Sequence, residues 1–182
     1  ILCYEEPELV HAVLAKATAF ITGYAQAFKD RGADGIVMAE PLAGLLSPDL
    51  AREFSATYVK QIVDAVQDDE FAVMYHNCGN GVVAQAESIA SLGCMGYHFG
   101  NAIEMTDILP LMPADALVMG NVDPASQLRN GTPESVAART TEILEACSGY
   151  PNFVISTGCD VPPMSPWENI EAFFAAVDKF YN

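Results

Sequence analysis

Positive charge is scarce in this chain: 8 Lys and Arg stand against 24 Asp and Glu, giving a formal charge of -16. A protein that holds a nucleic-acid backbone needs a basic face to neutralise phosphates, so no nucleic-acid partner is expected. Long apolar runs are missing as well. Asp, Glu, Lys, Pro or Gly interrupts every hydrophobic stretch before the ~18 residues of a membrane span, so no membrane partner is expected either. The cysteines, Cys3, Cys78, Cys94, Cys147 and Cys159, are odd in number and scattered. That is not a disulfide framework, and it fits a reducing cytoplasm. There is no phosphate-binding loop, dinucleotide fingerprint or Ser-His-Asp arrangement, which leaves nucleotide and acyl chemistry without support. The first residue is Ile1 and not Met, so the natural start is expected to lie elsewhere and no targeting signal can be read.

What the chain does have is core. Hydrophobic residues make up 51% of its 182 residues, with no composition break or linker, so residues 1–182 read as a single domain. Helical periodicity runs from Glu8 to Lys29, and "GIVMAEP" follows as a short buried strand ending near Glu40. The alternation repeats. Ser47-Pro48-Asp49 opens a helix to about Gln67, "FAVMYHNCG" is a second strand, and "GVVAQAESIASLG" a third helix. "CMGYHFGN" and "ALVMGNVDP" read as strands around the short helix "AIEMTDILPLM". Thr132 caps a helix to about Cys147, "NFVISTGCD" is the fifth strand, and Ser165-Pro166-Trp167-Glu168 starts the last helix.

Apolar strands separated by amphipathic helices mark an α/β fold with a parallel sheet. Residues able to do chemistry fall at the C-terminal ends of the strands: Glu40, His76 and Cys78, His98 and Asn101, Asn121 and Asp123, Cys159 and Asp160. Active sites of (β/α)8 TIM barrels are built on that rim, whereas a doubly wound sheet gathers its ligand residues near one switch point. The barrel is the better fit. Eight units need about 250 residues, so this chain is expected to hold about five C-terminal strand-helix units. Such an arc would have two long edges and an uncovered interior, so either a homo-oligomer or a second chain completes the barrel or this sequence is incomplete.

In "YHNCGN", His76 and Cys78 are two positions apart, and strand alternation points them to the same side. Cys159, in "STGCD", occupies the equivalent strand end in the fifth unit. A His/Cys/Cys set is of the type that binds Zn2+, and a catalytic zinc keeps three protein ligands and one open position. The competing reading is packing, because cysteine is among the most buried residue types. By that reading Cys3, Cys94 and Cys147 are packing residues, and His11 sits solvated on the polar side of the first helix.

The segments "GADGIVMAEP", "YHNCGN", "GNVDP", "NGTPESV", "STGCDVPPMSPWENI" and "FFAAV", in this order, resemble the C-terminal part of the uroporphyrinogen decarboxylase-like superfamily. More narrowly, they resemble its zinc-dependent corrinoid methyltransferase branch, typified by methylcobalamin:coenzyme M methyltransferases. The resemblance implies a (β/α)8 barrel and zinc ligands at His76, Cys78 and Cys159. It also implies a corrinoid, methylcobalamin or a corrinoid protein, as methyl donor or acceptor, and a small-molecule thiol or related partner activated on the zinc. Decarboxylases of the superfamily lack this thiolate set and act on a tetrapyrrole without metal.

Within that frame Glu40 is a candidate transient fourth ligand or base for an incoming thiol, with capping of a neighbouring loop as the alternative. His98 is a candidate ligand, proton carrier or corrinoid contact, against a satisfied rim histidine. Asp160 is a candidate to orient His76, although adjacent strand side chains face opposite ways. Asn121 and Asp123 belong to the cofactor-binding rim as site architecture, and both are ordinary turn-makers too. The functions in competition are a zinc methyltransferase, a metal-free lyase of the decarboxylase type, and a non-catalytic truncated barrel subunit.

Overall fold

The computed structural model describes residues 1–182. Five strands, β1 (Gly35–Ala39), β2 (Ala72–Asn77), β3 (Gly96–Phe99), β4 (Leu117–Val122) and β5 (Phe153–Thr157), form one parallel sheet in sequence order. The helices are α1 (Leu2–Glu5), α2 (Pro7–Asp30), α3 (Pro48–Ala51), α4 (Thr57–Val66), α5 (Ala86–Ala90), α6 (Met105–Ile108), α7 (Pro133–Cys147) and α8 (Trp167–Tyr181). A π-helical turn, Arg52–Ala56, joins α3 to α4 in one helical stretch. The expected strand-helix order is therefore present.

The caps act where the sequence places them. Ser47 accepts from the Leu50 amide, and Thr132 with Ser135 forms a capping box with Pro133 in the first turn of α7. Two expected helices are shorter than their periodicity. Only Ala86–Ala90 of "GVVAQAESIASLG" is helical, because the Gln85 side chain instead holds the preceding turn by donating to the Ala43 and Leu46 carbonyls. In "AIEMTDILPLM" the helix gives way to a 3-10 turn at Leu109–Leu111, where Pro110 removes a backbone donor.

Strand alternation divides the sheet into two unlike faces. The register row Tyr75, Tyr97, Val118 and Phe153 faces the helices, and none of these residues is more than 9% exposed. Burying an aromatic or aliphatic side chain of this kind stabilises by roughly 1.5–3 kcal/mol, so this face holds the fold together. The opposite row runs Ala39, His76, His98, Met119 and Val154. That inner face is open: Val37 is 68% exposed, Leu117 43% and Val154 41%.

The outer layer has an uncovered stripe of its own. On α2, Leu9, Val13, Phe20 and Tyr24 project at helical spacing and are all more than half exposed. His11, on the same helix, is not simply solvated as the sequence reading expects. It stacks on Phe54 with ring centroids 4.6 Å apart and bonds the Tyr58 hydroxyl at 2.8 Å, because α2 packs along the Pro48–Val66 helical stretch.

No helix is long and apolar enough to cross a membrane.

Candidate metal centre

The inner row ends in the residues of interest. His76 is the fifth residue of β2, and Cys78 follows just past the strand's last residue, Asn77. Cys159 lies two residues beyond β5. One ligand atom from each of His76, Cys78 and Cys159 falls within 4.8 Å of the others, and His76 Nε2 is 3.7 Å from Cys159 Sγ. Four-coordinate zinc, with Zn–S of about 2.3 Å and Zn–N of about 2.0 Å, places neighbouring nitrogen and sulfur ligands roughly 3.5 Å apart. The donor set and its spacing fit zinc.

The fourth side of this cluster faces a cavity of about 610 Å³. Val37, Ala39, Pro41 and Val161 give it apolar walls, and His98, Thr157 and Asp160 supply its remaining polar lining. Burial, and after it the neighbouring Cys159, pushes the Cys78 thiol above its ordinary value.

His76 is oriented by backbone. Its Nδ1 bonds the carbonyl oxygen of His98 at 3.2 Å, which assigns the hydrogen to Nδ1 and leaves Nε2 as the donor to a metal. Asp160 does not have this role. The acceptor that metal-bound histidines need is a main-chain carbonyl, which no sequence motif signals.

His98 faces the same cavity. Its ring lies 4.7 Å from that of His76, and its Nε2 donates to the Thr157 carbonyl at 2.7 Å. Burial lowers its pKa, with the Thr157 bond pulling the other way.

Glu40 does not reach the cluster. Its carboxylate accepts from the Ser55 hydroxyl at 2.6 Å and the Tyr75 hydroxyl at 3.1 Å, and Tyr75 points to the helix-covered face of the sheet. The expectation of a fourth ligand or base is thereby corrected: Ala39 faces the cavity, so alternation sends the Glu40 side chain to the other side of the sheet, where it ties the sheet to the helical layer. Burial raises its pKa, partly offset by the bonds from Ser55 and Tyr75.

Asn121 and Asp123 do not line the cavity either. Asn121 is 1% exposed and donates to the carbonyls of Gly100 and Ile103, pinning the loop after β3, while its Oδ1 is buried without a partner. Asp123 caps the π-helical turn Pro124–Arg129 by accepting from the Ala125 and Ser126 amides. Their side chains frame the rim.

Sequence reasoning passed over Gly100. A Cβ added there would stand 2.5 Å from the Cβ of Cys78, so only glycine lets the β3 end pass beneath the cysteine. A glycine directly after the strand "GYHF" is the signal that marks it.

Fold and cluster together define an α/β chain that forms part of a TIM-type barrel and gathers a His-Cys-Cys set at the C-terminal ends of its strands. The family model of uroporphyrinogen decarboxylase (URO-D) matches residues 1–180, and the chain belongs to that family. Two names occur among its curated relatives. The methylcobamide:CoM methyltransferase MtbA of Methanosarcina mazei is 30% identical over 171 residues, covering 90% of this chain and 47% of the relative. A uroporphyrinogen decarboxylase of Synechococcus is 32% identical over 178 residues, covering 96% of this chain and 49% of the relative.

Among solved structures, a methyltransferase from Methanosarcina mazei superposes with a TM-score of 0.87 at 29% identity, covering all of this chain and 52% of that one. A putative vitamin-B12 independent methionine synthase from Listeria monocytogenes shares the fold, with a TM-score of 0.71 at 13% identity. The chain spans about half the length of the curated relatives it matches.

Proposed function

We propose that this chain carries the zinc-binding half of a corrinoid-dependent methyltransferase, which moves a methyl group between a corrinoid, as methylcobalamin or a corrinoid protein, and a thiol or related small molecule. The observation that carries this reading is the convergence of His76, Cys78 and Cys159 to within 4.8 Å. Bound zinc supplies Lewis acidity that keeps a substrate sulfur in its nucleophilic, deprotonated form at neutral pH.

The chain's own residues do the rest. His76, with its Nδ1–H held by the His98 carbonyl, presents Nε2, and Cys78 and Cys159 present two sulfurs beside it. Val37, Ala39, Pro41 and Val161 give the reacting sulfur an apolar wall on one side. His98 and Asp160 are the polar groups at hand for the substrate. Asn121 and Asp123 serve the corrinoid side by holding the rim in shape.

The open inner row and the exposed α2 stripe support completion of the barrel by further strand-helix units, whether from the same polypeptide, a second chain or a second copy. A single domain working in the cytoplasm is part of the same reading.

A metal-free lyase acting on a tetrapyrrole is the second reading, favoured by the decarboxylase relatives. A non-catalytic barrel subunit is the third, favoured by the open inner face of the sheet. Zinc analysis of the purified protein tests the first against the second. One zinc per chain that is lost in Cys78→Ser supports the methyltransferase, and a zinc-free wild-type protein rejects it. Methyl transfer from methylcobalamin to thiols, measured with and without a completing chain, tests the third.

A further inference from the structure

His98 is bonded on two sides to the parts of the cluster. Its backbone carbonyl accepts the Nδ1–H of His76 at 3.2 Å, and its ring Nε2 donates to the Thr157 carbonyl at 2.7 Å. Thr157 in turn donates its hydroxyl to the carbonyl of Cys159 at 2.8 Å. These bonds run in series from one ligand to another.

Regular structure does not supply that link. β3 and β5 are not neighbours, since β4 lies between them. The β4–β5 register ends at Thr157 opposite Val122, and the last ladder-like bond runs from the Gly158 amide to the Val122 carbonyl. Cys159 lies beyond it, in a segment without helix or strand. The His98 ring crosses over β4 to reach that segment. A carbonyl only accepts, so the hydrogen sits on Nε2 and the ring acts as a fixed donor.

We propose that His98 is the positioning residue for Cys159: its Nε2–H anchors the Thr157 carbonyl and, through it, the turn that presents the Cys159 thiol to His76 and Cys78. The consequence for metal binding rests on the zinc reading above. The geometry itself, two thiols and an imidazole held together, does not.

Three variants and two measurements test it. Gln places an amide N–H where Nε2 stands, Asn places one only near Nδ1, and Ala places none. The first measurement uses metal-free protein and the oxidant diamide, which takes up the two thiol hydrogens as a Cys78–Cys159 disulfide forms. Its rate, with the linked peptides identified by mass spectrometry, reads how close the two sulfurs are held. The second is Co2+ binding, read from its affinity and from the thiolate-to-cobalt charge-transfer absorbance.

In His98→Ala and His98→Asn, disulfide closure slows about tenfold or more and Co2+ binds about 10–100-fold more weakly with reduced charge-transfer absorbance, the scale set by other outer partners of metal ligands. His98→Gln restores both toward wild type. The proposal is overturned if His98→Ala matches wild type in both measurements, or if His98→Gln is as impaired as alanine. Should alanine fail to fold, the Asn and Gln variants decide alone. A wild-type protein that closes the disulfide but takes up no Co2+ or Zn2+ rejects the zinc reading, while the closure rates still judge His98.

Discussion

The imidazole of His76 and the thiol of Cys159 come within 3.7 Å of each other although they are 83 positions apart in the chain. Cys78, next but one to His76, completes the set. Three donors drawn from two strand ends make a site whose integrity depends on the whole sheet. The consequences are measurable.

On the zinc reading proposed above, removing any one donor should release the metal. His76→Ala, Cys78→Ser and Cys159→Ser each weaken zinc binding by more than about 100-fold, because even outer partners of metal ligands cost 10–100-fold. Competition against a chromogenic chelator measures this. Zinc at 100 times its dissociation constant stabilises the fold by about 2.7 kcal/mol, so chelator lowers the melting temperature of wild type and leaves the three variants unmoved.

Gly100→Ala should damage the centre without touching a ligand. The added Cβ would stand 2.5 Å from Cys78 Cβ and 2.6 Å from its Cα, so backbone has to shift. An overpacking cost of about 1–3 kcal/mol is expected in urea unfolding, together with weaker zinc binding. Gly149→Ala is the control, since nothing lies within 4 Å of its would-be Cβ. There the change is neutral or stabilises slightly.

Glu40→Gln should leave zinc binding at the wild-type level, because the carboxylate is engaged with Ser55 and Tyr75 on the helix-covered side. A loss on the 10–100-fold scale of an outer metal partner would contradict the placement of Glu40 described above. The chelator competition used for the ligand variants gives the answer.

Asp123 should give stability a component that fails in acid. Burial raises its pKa, but the bonds from Ser126 and Ala125 outweigh burial and hold the carboxyl below its ordinary 3.8. A depressed folded-state value means the contribution is in full force above pH 3.8 and fades as pH falls through the lowered value. Asp123→Ala therefore costs about 1 kcal/mol at pH 7, the usual worth of an N-cap, and the gap to wild type narrows in strong acid. Asp123→Asn keeps the cap and loses the pH dependence, which urea titrations across the acid range will show.

Much of this was legible because side-chain period and strand ends are local matters. The alternation that places His76 and Cys78 on one side follows from two-residue periodicity, and the glycine and proline punctuation fixes where strands stop. Glu40 was misplaced for a reason equally physical. Ala39 faces the cavity, so alternation carried one residue further turns Glu40 to the opposite, helix-covered side. The strand-end position alone suggests the rim, and the carboxylate instead accepts from the Ser55 and Tyr75 hydroxyls. The orientation of His76 was invisible for another reason, since its partner is the carbonyl of His98, a group that every residue possesses.

The sequence by itself determined the order of five apolar strands and their covering helices, and the residue types able to bind a soft metal ion, because these depend on periodicity and on the chemistry of each side chain. Only the tertiary structure decided that Cys159 meets His76, that Glu40 finds the Ser55 and Tyr75 hydroxyls, and that the ring of His98 spans β4 to hold the Thr157 carbonyl. Those outcomes depend on how the curvature of the parallel sheet brings distant strand ends together and on which backbone groups remain free at its rim, and neither is written in any one segment of the chain.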